Sequence, residues 1–368
     1  MSYLKHIRHD LQDMQAYSVQ DAVGMVKLDA MENPHRLSAT LQAQLGERLG
    51  TVAVNRYPGS RIQDLKLAIA QHTGLPEGYQ LMLGNGSDEL ISLLSMACHL
   101  PGASILAPEP GFVMYAMSAK LQGLTYVPVS LRDDFELDEP AMTEAIAKHQ
   151  PAIVYLAYPN NPTANLWDAQ VIRRLIAQVS AYGAWVVLDE AYQPFSSESW
   201  LTEIQTDPHA NAQVLLMRTL SKYGLAGVRI GYMMARTEVI QQLEKIRPPY
   251  NISVLNAECA LFALEHADVF ALQAQSICHE RQRLATQLAT MPSVTVYQSQ
   301  ANMMLLRLSG DDEVASRVFA ALKAKNILVK NVSKMHAVLH RCLRITVGTS
   351  TENDQLLAAL KEILASQA

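Results

Sequence analysis

Cysteine is scarce: Cys98, Cys259, Cys278 and Cys342 are the only four in 368 residues, and no two form a C-x-x-C pair. That spacing argues against a disulfide framework or a cysteine-based zinc site, and it fits a reducing cytoplasm. No H-E-x-x-H occurs among the eleven histidines, so the reading includes no metal. Charge of either sign is low at 18%, and 30 basic against 35 acidic residues leave a net charge of −5. This speaks against a broad nucleic-acid-binding surface. No run approaches the ~20 consecutive apolar residues of a membrane helix, and the start has no apolar core suited to a signal peptide. A Walker A loop and a G-x-S-x-G elbow are also missing.

What is present is a hydrophobic content of 49%, enough for a large core and too high for disorder as the default. At roughly 100–200 residues per domain, the length implies two or three domains. Residues 1–36 read as an irregular arm. Beyond them short β-like runs alternate with helical patterns: SILAP at 104–108, LTYVPVS at 124–130, AIVYLA at 152–157, AWVVLDE at 184–190, QVLLMRT at 213–219 and VRIGYMM at 228–234. Helical periodicity lies between, for example over 138–148 and 168–181. This rhythm predicts an α/β fold with a mainly parallel sheet covered on both faces. After residue 236 it changes. One long helical stretch, about 252–290, precedes short strands and a last helix, the pattern of a smaller α+β domain. The two prolines of RPPYN at 247–251 mark the expected boundary: arm 1–36, large domain 37–250, small domain 251–368.

In such sheets ligands bind beyond the carboxyl ends of the strands. Four strand-like runs end there in polar groups: GSDE, YPNNPTA, DEAY and RTLSKYGLAGVR. Lys222 lies in a small, weakly charged setting with Arg229 seven residues on. A neighbouring cation and burial both favour the neutral, nucleophilic amine, although most lone lysines are simply solvated. Thr219 and Ser221 beside it suit a phosphate cradle. Asp189 closes a run of five apolar residues, AWVVL. A carboxylate there needs a cationic partner such as a protonated pyridine nitrogen, or else serves as a helix cap. Tyr192 is either a ring-oxygen donor or an ordinary core tyrosine. Asn161 sits at a turn where an amide can donate to a phenolate. Gly86, Ser87 and Asp88 open a helix whose free N–H groups suit phosphate, or are merely its cap. Arg344 lies on an apolar strand, where it requires an anion or a structural ion pair.

Together these segments resemble the fold-type I pyridoxal-phosphate aminotransferases. The likeness runs through KLDAMENP (27–34), NRYPGS (55–60), GNGSDE (84–89), YPNNPT (158–163), DEAY (189–192), RTLSK (218–222), GVRIGY (227–232) and CLRITVGT (342–349). The opening AYSVQDAVGMVKLDAMENP, RPPYN and ILVKNVSK resemble the histidinol-phosphate branch. The resemblance implies a large domain with a mainly parallel seven-stranded sheet between helices, and pyridoxal 5'-phosphate as cofactor. It implies an amino donor and a keto acceptor as partners, namely L-histidinol phosphate/imidazole-acetol phosphate and glutamate/2-oxoglutarate. No nucleic acid and no membrane are implied, and the chain is expected to work as a cytoplasmic homodimer.

By the same resemblance Lys222 bonds the cofactor's aldehyde carbon, Asp189 pairs with the ring nitrogen, and Asn161 and Tyr192 hold the ring oxygen. Gly86, Ser87, Asp88, Ser221, Arg229 and, more weakly, Thr219 hold its phosphate. Phe112 stacks on the ring, and Tyr57 reaches the phosphate of the neighbouring subunit. Arg344 and Lys330 bind the substrate's anion, and Tyr17 and Asn33 also face substrate. The sequence departs from the family pattern at Ala164, which replaces a glycine, and in the Lys222–Arg229 spacing, one residue shorter than the common one. Lys330 stands where some relatives have arginine, and Phe112 where tyrosine is frequent. Aminotransferases of other specificity, a threonine-phosphate decarboxylase and a non-enzymatic cofactor sensor share this scaffold.

Overall fold

Seven apolar runs become the strands of one sheet. They are β1 (Tyr79–Asn85), β2 (Ser104–Glu109), β3 (Thr125–Ser130), β4 (Ile153–Ala157), β5 (Trp185–Asp189), β6 (Val214–Thr219) and β7 (Ile230–Arg236). The computed structural model describes residues 3–12 and 20–366 of the chain. The strand order is β1-β7-β6-β5-β4-β2-β3. All pairings are parallel except those of β7, which runs antiparallel to both β1 and β6. A parallel return needs a crossover of about a dozen residues or more, and the link from Thr219 to Ile230 is too short and too tightly coiled for one. It returns as a hairpin instead, and that hairpin carries both Lys222 and Arg229.

Every residue of β4 and β6 is buried, as a sheet covered on both faces requires. Leu90, Ile91 and Leu94 of helix Ser87–Ala97 pack on one face. Ile172, Leu175, Ile176 and Val179 of helix Ala169–Ser180 pack on the other. Each such side chain contributes about 1.5–3 kcal/mol by leaving water. The second helix starts where Asp168 accepts from the Gln170 N–H at 2.7 Å, satisfying a donor that has no partner within the helix.

A second, antiparallel sheet holds β8 (Val294–Val296), β9 (Met303–Leu308), β10 (Lys330–Asn331) and β11 (Cys342–Thr346), in the order β10-β11-β9-β8. Helices Val314–Ala324 and Ser350–Ala365 share its core. The arm joins this part: Val26–Lys27 pairs in parallel with Ile327–Leu328, and Leu28 and Met31 are buried in the same core.

One expectation needs correction. The stretch at 252–290 is not one helix but two, Val254–Glu265 and Ala267–Leu288, broken where His266 leaves helical geometry. The first of these packs with the large sheet, because Ala257, Ala260 and Leu261 are buried in that sheet's core and Glu258 is held by Arg48 and Arg61. Among the described residues, no helix is long and apolar enough to cross a membrane.

Candidate active site

Strands β4, β5 and β6 end side by side at Ala157, Asp189 and Thr219. Each chain segment turns polar at that point, and a cavity of about 270 Å³ opens there. It is lined by Ser87, Asp88, Phe112, Asn161, Asp189, Tyr192, Thr219, Ser221, Lys222 and Arg229, among others. Ten residues singled out from sequence thus meet at one place, from five separate stretches of chain.

Lys222 sits in a tight, kinked turn, Ser221–Leu225. The turn closes at Gly224 with φ 137°, where a Cβ would lie 3.0 Å from the Phe270 ring. A 3-10 turn, Ala226–Val228, follows, and Arg229 then takes a left-handed backbone with φ 55°. This is the path of the shortened spacing: the left-handed residue turns the Arg229 side chain back toward Ser221. The Lys222 amine donates to the Ala30 carbonyl at 3.1 Å. Burial, and then the charge of Arg344, push its pKa down to about 8.

Asp189 is buried, and burial pushes its pKa up to about 6. Its Oδ2 accepts from the Tyr115 hydroxyl at 2.7 Å and its Oδ1 from the Ala191 N–H at 3.1 Å. Both oxygens keep acceptor capacity toward the cavity. Asn161 is fixed from behind, because its Oδ1 accepts from Arg344 Nη1 at 2.7 Å. Its NH2 group is therefore the half left for the cavity. Tyr192 is buried beside the amine, with Lys222 Nζ 6.0 Å from its ring centroid.

The opposite end of the cavity is cationic and rich in donors. Arg229 Nη1 donates to Ser221 Oγ at 3.3 Å, and the hydroxyls of Thr219 and Ser221 lie 3.0 Å apart. The helix beginning at Ser87 directs its first N–H groups here. Asp88 does something the sequence did not suggest: its carboxylate pairs with Arg229 at 3.4 Å. Gly86, with φ 76°, lets the two segments approach, since a Cβ there would lie 2.5 Å from Arg229 Nη2. Ala164, where the family pattern has glycine, takes a left-handed backbone with φ 64°, a strained conformation for alanine.

Other expected residues lie outside the cavity wall. Arg344 is buried behind Asn161 and also donates to the Asp29 carbonyl at 2.7 Å. Lys330 stands directly opposite Arg344 across β10 and β11. Asn33 does not line the cavity: its amide donates to the Tyr223 carbonyl and to Gln273, tying the arm to helix Ala267–Leu288. Tyr57 is 74% exposed and stacks on Tyr250 at 4.2 Å, away from its own chain's cavity. Tyr17 lies outside the described residues. Sequence reasoning missed Tyr115, which stands three residues after Phe112, and missed Ala30, Met31 and Glu32 as a wall of the cavity.

A larger cavity, about 690 Å³, lies on the other side of the same strand ends. The buried charges at its floor, Glu190 and Arg218, neutralise each other at 2.8 Å. It lacks the amine and the open carboxylate of the smaller one, so the chemistry belongs to the latter.

The chain as a whole is similar to known proteins. A family model described as aminotransferase class I and II matches residues 23–360. The chain belongs to this family. It is 59% identical to the histidinol-phosphate aminotransferase of Polaromonas naphthalenivorans, over 98% of this chain and 96% of that protein. The same-named protein of Methylibium petroleiphilum is 58% identical over 98% of this chain and 95% of its own length. A solved structure, histidinol-phosphate aminotransferase from Sinorhizobium meliloti in complex with pyridoxal-5'-phosphate, matches with a TM-score of 0.81 at 27% identity. That match covers 93% of this chain and 91% of the other. The family's cofactor is pyridoxal phosphate, and this aminotransferase depends on it. The residues present fit that group: a cavity with a cationic, donor-rich end, a buried carboxylate and a buried amine has the charge pattern of its phosphate, ring nitrogen and aldehyde.

Proposed function

We propose that this aminotransferase moves an amino group between L-histidinol phosphate and 2-oxoglutarate, yielding imidazole-acetol phosphate and glutamate. One observation carries the chemistry: the half-buried Lys222 amine shares a cavity with the buried Asp189 carboxylate and the cationic end formed by Arg229 and Ser221, and burial lowers its pKa to about 8. The substrate follows the name shared by relatives at 57–59% identity.

Pyridoxal phosphate, when bound, supplies an electrophilic carbon and a ring that accepts electrons. Lys222 is the amine that bonds that carbon. Its free amine would also be the base that takes the proton from the substrate's α-carbon. Asp189 holds the ring nitrogen protonated. Asn161 Nδ2 and the Tyr192 hydroxyl donate to the ring oxygen, and Phe112 covers one ring face. Arg229, Ser221, Thr219 and the N–H groups of the Gly86–Asp88 turn hold the phosphate. Arg344 binds the substrate's anionic group, its planar fork suiting carboxylate and phosphate alike, and Lys330 is a second cation beside it.

Tyr57 supports a homodimer, because its ring is largely exposed and lies outside its own chain's cavity, at the surface a second copy would meet. A cytoplasmic location and the assignment of residues 37–250 to cofactor binding belong to the same reading.

The test is a coupled assay of cofactor-loaded protein with L-histidinol phosphate and 2-oxoglutarate. Glutamate should form without release of carbon dioxide. If other amino donors react and histidinol phosphate does not, the substrate is wrong while the cofactor chemistry stands. Carbon dioxide release would replace transamination with decarboxylation.

A further inference from the structure

The Asp189 carboxylate has two donors, and one of them comes from a residue outside the motifs. Tyr115 belongs to helix Met114–Gln122 and is buried. Its hydroxyl lies 2.7 Å from Asp189 Oδ2, the length of a charge-assisted bond. Its ring is clamped, stacked on Tyr155 at 4.3 Å and 10° and meeting the edge of Phe112 at 5.6 Å and 85°. With two torsions locked by packing, the hydroxyl has little freedom to leave. We propose that Tyr115 is a positioning residue for Asp189: by donating to one oxygen it keeps the carboxylate charged and turned toward the ring nitrogen. The inference rests on the assignment of Asp189 to that nitrogen.

The surroundings make this bond decisive. Burial is the main force against charge on Asp189, and Asp88 and Glu190 add to it. Only Tyr115 and the Ala191 N–H oppose these among the principal influences on the carboxylate. Tyr155 and Tyr192, the other titratable groups facing it, are neutral, each with its pKa raised by burial. A pKa of about 6 leaves a narrow margin at neutral pH. A donor to the charged form lowers the pKa, so its loss moves the balance toward the protonated acid, which cannot hold a cationic nitrogen.

The experiment titrates apo-protein with pyridoxal 5'-phosphate by absorbance, across pH. Tyr115→Phe keeps both ring contacts and removes the donor. It should bind roughly tenfold or more weakly at pH 7. Its affinity should fall away about one pH unit higher than in the wild type. Tyr155→Phe cuts a hydroxyl from the same stack but none that bonds Asp189, and should bind within about twofold of wild type. In an Asp189→Asn background, Tyr115→Phe should add no further loss, because the charge it serves is gone. Should Tyr115→Phe fail to fold, 3-fluorotyrosine at 115 carries the test: a stronger donor of the same shape should bind at least as tightly and shift the acid limb to lower pH. Unchanged affinity and pH dependence in Tyr115→Phe would overturn the inference, as would an equal loss in the Asp189→Asn background. Normal binding by Asp189→Asn alone would overturn the assignment of Asp189 itself.

Discussion

Asp189 and Glu190 are adjacent carboxylates at the end of β5, both buried, and the fold treats them in opposite ways. Alternation along a strand sends them to opposite faces. Glu190 meets the Trp200 N–H, the Ser199 hydroxyl and the Arg218 guanidinium, so its acceptor sites are filled within the chain. Asp189 meets two donors and keeps capacity toward the small cavity. The pairing repeats at the neighbouring segments: Arg218 lines the rear cavity and Thr219 both, and Lys222 lines the front while Tyr223 lines the rear. A satisfied charge stabilises; one left partly open is available to a ligand. The lesson is that burial alone does not mark a functional residue. The unfilled bonding capacity does.

If this contrast is right, substitutions on the two faces should fail differently. The largest effect is expected from Lys222→Ala, which should lower turnover by several orders of magnitude while leaving the apo-protein's melting temperature equal to or above wild type, since a buried amine has been removed. Loss of both activity and fold would blur the distinction. Arg218→Ala should act the other way. It strands the buried Glu190 and should cost about 3–5 kcal/mol in urea unfolding, without touching the cofactor directly. A smaller expected effect concerns pH. Because the Lys222 pKa lies below that of a free lysine, at about 8, the neutral fraction grows as pH rises toward that value. The rate of cofactor capture by apo-protein, followed by absorbance, should rise through pH 7 and level off above about 8. A rate still climbing at pH 10 would mean that the amine is solvated.

The front face was more legible in sequence than the rear. Lys222, Asp189, Asn161 and Arg229 stand at abrupt changes from apolar strand to polar turn, and such changes are local. The strands themselves could be read because β4 and β6 are unbroken apolar runs. Tyr115 could not be read, because its partner lies 74 residues away and an aromatic on a helix looks like core. The Glu190–Arg218 pair was hidden for the same reason. Asn33 had the right neighbourhood in sequence but turns to Gln273, and no local pattern distinguishes those two directions. The break at His266 was masked because apolar periodicity continues on both sides of it. The antiparallel course of β7 was set by the length and coiling of the Lys222 hairpin, a property of the loop rather than of the strand.

The proposed role of Lys222, as the amine that takes up the cofactor, has a direct chemical signature. Borohydride reduction of the pyridoxal-phosphate-loaded protein, followed by peptide mass spectrometry, tests it directly. A pyridoxyl adduct is expected on the peptide containing Lys222, and none there in Lys222→Ala. An adduct confined to another lysine, or no adduct in a protein that turns over normally, would contradict it.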